Sequence, residues 1–145
     1  MAHNGDIVYF KSNGDFRNIV LNDLLILFEK KSNIKLTNNK DKSNRIAISS
    51  TIDFEAERII DILINDKTEK LRELSPTIKD NKKIIIKPLY LFSDKEILLY
   101  AKLRGLKFKP KKRETTNIQN VLDNMENKHP EIKRAIVNSY LKLYK

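Results

Sequence analysis

The sequence IIIKPLYLFSDKEILLYAKLRGLKF, residues 84–108, carries the clearest succession of strand and helix signals in the chain. Consecutive isoleucines predict a short buried strand, and Pro88 closes it because proline lacks the backbone N–H that a sheet requires. Ser93 and Glu96 have the three-residue spacing of a capping box, which predicts the start of a helix. Gly105 is a suitable stop for that helix. A strand that leads directly into an amphipathic helix is typical of an α/β layer.

The segments before this stretch repeat the same alternation. Apolar residues predict short strands at 6–10 and 45–50. Three- and four-residue apolar spacings predict a helix from Phe16, and a second helix that Thr51 or Asp53 can cap. The C-terminal part has two more helical patterns and no strand signal. We therefore expect one α/β domain of about three strands with flanking helices and a C-terminal helical tail.

The predicted domain has two parts. Residues 1–108 form the small α/β part, and residues 109–145 form a basic loop followed by the C-terminal helices. A chain of 145 residues is long enough to bury one ordinary core.

The chain is strongly basic, with 29 Lys and Arg against 19 Asp and Glu and a net charge of +10. Such an excess favours a polyanionic partner because contacts with phosphates release counterions. Nucleic acid fits this better than a membrane surface. The alternative is a genome whose base composition enriches Lys, Asn and Ile without any functional consequence.

The available residue types exclude several kinds of chemistry. There are no cysteines, which rules out thiolate zinc sites, cysteine-ligated clusters and cysteine nucleophiles within the chain. His3 and His129 lie in polar stretches and do not suggest a metal site. The three glycines are far apart, so no glycine-rich phosphate loop is predicted. Without a long apolar run or a secretory pattern, we expect a cytoplasmic protein with no membrane partner.

The segment KFKPKKR, residues 107–113, is the strongest candidate for a binding function. Its charges can contact phosphates, and Phe108 among them is either a core residue or a surface for base stacking. A solvated run of charge is the structural alternative. Basic residues of the last helix can extend this surface. The candidate RNA-binding residues are Lys107, Lys109, Lys111, Lys112 and Arg113 in the segment, Lys133 and Arg134 in the last helix, and Arg17.

Four segments in order resemble consecutive parts of the C-terminal half of the PP-loop ATPases that thiolate tRNA, the tRNA 2-thiolation and 2-thiocytidine proteins. They are NGDFRNIVLNDL (13–24), RIAISSTIDFEAERIIDILI (45–64), residues 84–106 of the opening stretch, and VLDNMENKHPEIKRAIVNSYLKL (121–143). The most specific matches are Lys-Pro-Leu at 87–89 and the Lys-Glu and Tyr-Ala pairs between 95 and 101. The resemblance implies an adenine nucleotide alpha hydrolase-like, Rossmann-like fold. It also implies descent from enzymes that adenylate a tRNA base and then deliver sulfur.

The departures from the family pattern remove groups that this chemistry requires. The Ser-Gly-Gly-x-Asp-Ser phosphate loop has no counterpart, and the family's Gly-His-Asn positions are occupied by polar hydroxyl residues. The resemblance therefore implies a degenerate nucleotide site. Its positions are Ser49, Ser50, Thr51 and Asp53. The second Asp of the motif is Phe54 here, and a family cysteine position is Asn13.

A second register is possible for the N-terminal segment. It aligns DIVYFKSNGDF, residues 6–16, with the phosphate loop itself, as a strand that enters a degenerate loop. This register is less favoured, because Asn13 and Asp15 replace two small residues that let backbone amides face a phosphate.

These features predict a truncated, non-catalytic relative of the tRNA-thiolating enzymes, with no catalytic residue, no metal and no cofactor of its own. Its expected partner is tRNA. One alternative is half of a composite sulfurtransferase, which binds ATP only when a second subunit supplies the phosphate loop. A homodimer is another possible assembly. The remaining alternative is a general basic nucleic-acid-binding protein.

Overall fold

The computed structural model describes residues 5–11, 13–109 and 116–144. Its strands are β1 (Ile7–Tyr9), β2 (Lys35–Thr37), β3 (Arg45–Ala47), β4 (Thr77–Asp80) and β5 (Lys83–Ile86). Its helices are α1 (Phe16–Lys31), α2 (Ile52–Ile64), α3 (Asp94–Leu103), α4 (Asn117–Lys128) and α5 (Ile132–Leu143), with 3₁₀ turns at Lys40–Lys42 and Thr68–Leu74. The α/β class predicted from the sequence is confirmed.

The strands form one mixed sheet in the order β2-β1-β3-β5-β4. β2, β1, β3 and β5 run parallel to one another, and β4 pairs antiparallel with β5. The described residues thus contain five strands, where the sequence predicted about three. β4 gave no apolar signal because it is an edge strand whose side chains, except the half-buried Ile78, are exposed.

Local signals in the sequence set the helix ends. Asp15 caps α1 by accepting the N–H of Arg17, and Ser93 and Glu96 form the predicted capping box of α3. Gly105 follows α3 with φ +67°, a left-handed conformation that suits glycine and ends the helix. Of the two caps considered for α2, Thr51 is the N-cap residue.

The buried side chains form two clusters. One lies between the sheet and the helices α1 and α3, with Val8, Leu21 and Ile86 fully enclosed. The other joins α2, the second 3₁₀ turn, α4 and α5 around Leu74 and Val137. α2 therefore shares its core with the C-terminal helices, and α4 and α5 lie along α2.

The strand order defines where a ligand can enter this sheet. The chain passes from β1 through α1 outward to β2, and then returns to the other side of β1 to form β3. The carboxyl ends of β1 and β3 therefore flank a topological switch point, the position at which open α/β sheets bind ligands. β1 is followed by α1 at this switch point, which is the strand-then-helix order of the less favoured register. The alignment of this segment with the phosphate loop stays a prediction.

Candidate functional site

Asp94, in the first turn of α3, is the centre of the polar network at the switch point. The guanidinium of Arg17 donates to it twice, from Nε at 2.8 Å and from Nη2 at 2.5 Å. The hydroxyl of Thr51 donates to Asp94 Oδ1 at 2.7 Å, and the backbone N–H of Asp94 donates to Asp53 Oδ2 at 2.6 Å. One carboxylate and its amide therefore hold the starts of α1, α2 and α3 together.

Arg17 is strongly held in this network. Burial lowers the pKa of its guanidinium, but the hydrogen bonds and charge of Asp94 outweigh burial, so the pKa lies above its ordinary value. The bidentate pair uses the donors that would face a phosphate. Contact of Arg17 with RNA stays a prediction, and it would require Arg17 to share or leave Asp94.

Lys133 lies in the interior, with 5% of its surface exposed. Its Nζ donates to Asp53 Oδ1 at 2.6 Å and to Asp123 Oδ1 at 2.8 Å, and Glu126 is 3.7 Å away. Burial lowers the pKa of Lys133, and these carboxylates more than offset it, so the pKa lies above its ordinary value. The expectation that Lys133 extends an exposed basic surface is therefore corrected: its charge is neutralised and ties α5 to α2 and α4.

Arg134 points the other way and is exposed, but it is also paired. It forms an ion pair with Glu96 of α3 and donates to the carbonyl of Leu91 at 3.0 Å. The last helix therefore contributes less free positive charge at this edge than its sequence indicates.

The basic segment begins at the switch point. Lys107 and Lys109 are exposed, and the N–H of Lys109 donates to the carbonyl of Gly14 at 2.8 Å. The Lys109 side chain crosses Gly14 so closely that an added Cβ there would lie 2.6 Å from its Cδ. Phe108 packs against Phe16 with ring centroids 6.2 Å apart, which supports the core role for Phe108. Lys111, Lys112 and Arg113 lie outside the described residues.

Ser49, Ser50 and Thr51, at the predicted degenerate nucleotide positions, all donate hydrogen bonds from their hydroxyls to other residues of the chain. Ser49 Oγ donates to Asn18 at 2.7 Å, and Ser50 Oγ donates to the buried Glu55 at 2.5 Å. The start of α1 is filled in the same way, because the Asp15 carboxylate occupies the position at which a helix N-terminus would accept a phosphate. These hydrogen bonds hold the loops at the switch point in place.

A buried ion pair lies beneath this network. Lys87 Nζ is 2.9 Å from Glu55 Oε1, with 3% and 0% of the two side chains exposed. The pair links α2 to the end of β5, beside the ring of Tyr90. Burial, followed by the charge of Glu55, raises the pKa of Tyr90 above its ordinary value. A single sequence does not show which carboxylate lies opposite Lys87, so this ion pair is visible only in the folded chain.

The described residues contain no group of His, Asp or Glu side chains arranged to hold a metal ion. Within the same residues, no helix is both long and apolar enough to cross a bilayer.

Comparisons with known proteins point to one family. No protein-family model matches the chain. It is 30% identical over 105 residues to a tRNA-5-methyluridine(54) 2-sulfurtransferase of Pyrococcus horikoshii, an alignment that covers 67% of this chain. The chain spans about a third of that relative, 34% of its length.

The fold has a solved counterpart. A U34-tRNA thiolase, NcsA from Methanococcus maripaludis with its [4Fe-4S] cluster, superposes with a TM-score of 0.78 and 20% sequence identity. The alignment covers 98% of this chain and 73% of the thiolase chain. Together with the sulfurtransferase match, it confirms that the chain is related to the PP-loop proteins of tRNA thiolation. This chain has no cysteine, so its own residues do not fit a cysteine-ligated cluster.

Proposed function

We propose that this chain binds tRNA at the carboxyl edge of its sheet and does not itself thiolate the RNA. The observation that supports this most is the attachment of the basic segment at the switch point, through the bond between Lys109 and Gly14. The related proteins are a tRNA sulfurtransferase and a tRNA thiolase. The proposal assigns to this chain the RNA-binding part of such a protein.

The charge of the chain supports RNA binding. Its net charge of +10 favours phosphate contacts, and Lys107 and Lys109 are exposed beside the switch point. The proposed contacts continue through Lys111, Lys112 and Arg113. Arg134 joins them when RNA phosphates compete with Glu96 for its guanidinium.

The chemistry of the site supports a non-catalytic role. Sulfur delivery needs thiolates or a cluster, and the chain contains no cysteine. Adenylation needs backbone amides that face ATP phosphates, and at the start of α1 the Asp15 carboxylate accepts such an amide. Ser49, Ser50, Thr51 and Asp53 hold the loops at the switch point in this account, and they do not bind ATP in the isolated chain.

A composite enzyme is the second candidate, and an apolar surface favours it. Helices α2, α4 and α5 border a cavity of about 470 Å³ with side chains that stay exposed at its rim, among them Ile64 at 67% and Val121 at 57%. Exposed apolar patches of this kind mark sites of association. In this alternative a second subunit covers the surface and supplies the phosphate loop, or a second copy of the chain covers it.

Competition binding tests the proposal. Without ATP, labelled tRNA bound to the purified chain should be displaced by unlabelled tRNA at lower concentration than by duplex DNA at matched salt. Equal displacement would instead support a general nucleic-acid-binding protein. An absence of tRNA binding until ATP and a second subunit are added would support the composite enzyme.

A further inference from the structure

We propose that the cavity beside Phe54 holds an unpaired nucleobase of the bound RNA, stacked on the Phe54 ring. This inference rests on the proposed function and adds the mode of recognition to it. The cavity measures about 190 Å³ and lies between the first turns of α2 and α4. Phe54 forms one wall, and Leu122, 3% exposed, forms an apolar base.

Phe54 has no place in the core. It lies in the first turn of α2, and 40% of its surface is exposed. The next two residues, Glu55 and Ala56, are fully buried. Leaving so large an apolar ring at a cavity wall forgoes part of the free energy that burial would provide. Exposed aromatic rings beside basic surface are the usual platforms on which proteins stack single-stranded bases.

The charges around the ring suit an RNA ligand. The guanidinium carbon of Arg58 lies 5.7 Å from the centroid of the Phe54 ring, so a cation is already held against the aromatic. Arg17 and the Lys133–Asp53 ion pair border the same cavity. Arg17 and Lys133 are already paired with Asp94 and Asp53, so the positive group that would face the phosphate of a base stacked on Phe54 is Arg58.

Polar groups at the rim can meet the edge of a base. Gln119 lines the cavity and carries both donor and acceptor atoms. Its position is set by Thr116, whose hydroxyl accepts the N–H of Gln119 at 3.1 Å and donates to Glu57 at 2.6 Å. Glu57 lines the cavity as well, so the start of α4 is fastened to its rim.

The same contacts hold Lys109 and Thr116, which flank residues 110–115, beside the site. Lys109 is bonded to Gly14 at the switch point, and Thr116 is bonded to Glu57 at the rim of the cavity. Lys111, Lys112 and Arg113 lie between these two anchors in the sequence.

The test compares Phe54→Ala with Phe28→Ala, which removes a similarly exposed ring, 54% exposed, from α1. The ligands are a single-stranded RNA oligonucleotide that contains 2-aminopurine and the same strand in a duplex. We expect Phe54→Ala to weaken single-strand binding by about tenfold or more and to leave duplex binding within about twofold. Phe28→Ala should change neither, and Phe54→Trp should retain binding and show quenched tryptophan fluorescence when RNA binds.

Two results would overturn the inference. Unchanged single-strand affinity of Phe54→Ala would show that no base stacks there, and an equal loss for single strand and duplex would show that the ring supports the fold or the charged surface. Thermal unfolding of each variant shows whether the substitution impairs folding. Retained binding by Phe54→Trp shows that position 54 tolerates another aromatic ring. Wild-type protein that binds neither RNA would remove the proposed function together with this inference, whereas normal binding by Phe54→Ala removes the inference alone.

Discussion

Lys87 and Lys133 are almost fully buried, and each lies against carboxylates. Taking such charges out of water costs several kcal/mol per ion, and only close partners offset that cost. Glu55 offsets it for Lys87, while Asp53 and Asp123 offset it for Lys133. These lysines therefore hold helices in place, and the proposed contacts with RNA belong to other residues.

Replacing Lys87 with Met should strongly destabilise the protein, because it leaves the Glu55 carboxylate buried without its cation. The expected loss is about 3–5 kcal/mol in the free energy of unfolding, measured by urea denaturation. Lys87→Met combined with Glu55→Gln should recover most of it. Arg104→Met, which breaks an exposed ion pair, is the control. A Lys87→Met loss no larger than that of the control would contradict the role of the pair.

The site and cap residues that the sequence predicts are those whose partners are close in the chain. The caps Asp15 and Ser93 were predictable because each bonds within the next three residues. Asp94 was not recognised as the centre of the site, because its partner Arg17 is 77 residues away. The motif match named Asp53 and Thr51, but only the folded chain shows that both meet Asp94.

Helices α1 and α3 are joined by a polar contact at Asp23. Its carboxylate accepts the Tyr100 hydroxyl at 2.7 Å and Arg104 Nε at 3.2 Å. Burial raises the pKa of Asp23, but these hydrogen bonds outweigh it, so the pKa lies below its ordinary value. A lowered pKa in the folded state means that the contact stabilises the fold at neutral pH and stops doing so in acid.

The pH dependence of unfolding tests this contact. Wild type should be more stable than Asp23→Asn at neutral pH. This difference in stability should disappear as the pH falls below about 4, the ordinary pKa of an aspartate, and then through the lowered pKa of Asp23. Thermal unfolding of both proteins from about pH 6 to about pH 2 measures it. Asp41→Asn, which removes an exposed carboxylate, is the control. A difference between wild type and Asp23→Asn that stays constant with pH would contradict the assignment.

Elements were predictable where apolar periodicity was strong. The helices from Phe16, Ser93 and Thr116 and the strand at Lys83–Ile86 carry such patterns. β2 and β4 form the two edges of the sheet, and their residues are mostly exposed or half-buried. Edge strands of this kind are stabilised by pairing with a neighbour, which a single segment of sequence does not show.

The parallel strands begin and end on opposite sides of the molecule, at the amino edge and the carboxyl edge. At the carboxyl edge, the loop after β1 meets Lys109 of the basic segment, and ion pairs neutralise Arg17, Lys133 and Arg134. At the amino edge, the exposed Lys35 and Lys82 lie near the starts of β2 and β5. Composition predicted the net positive charge, but only the fold shows which positive residues remain unneutralised.

The two edges provide a matched comparison. The loop variant replaces Lys109, Lys111, Lys112 and Arg113 with Ala. The edge variant replaces Lys31, Lys35, Lys40 and Lys42 with Ala. Both remove the same number of positive charges, so a difference between them reports the location of the contacts and is independent of the net charge.

The salt dependence of tRNA binding by these two variants is the most direct test of the account. We expect the loop variant to reduce the slope of log affinity against log salt by roughly three, since each lost phosphate contact lowers it by a little less than one. The edge variant should keep a slope close to that of wild type. Equal slopes for the two variants, or a wild-type protein with no affinity for tRNA, would contradict tRNA binding at the carboxyl edge.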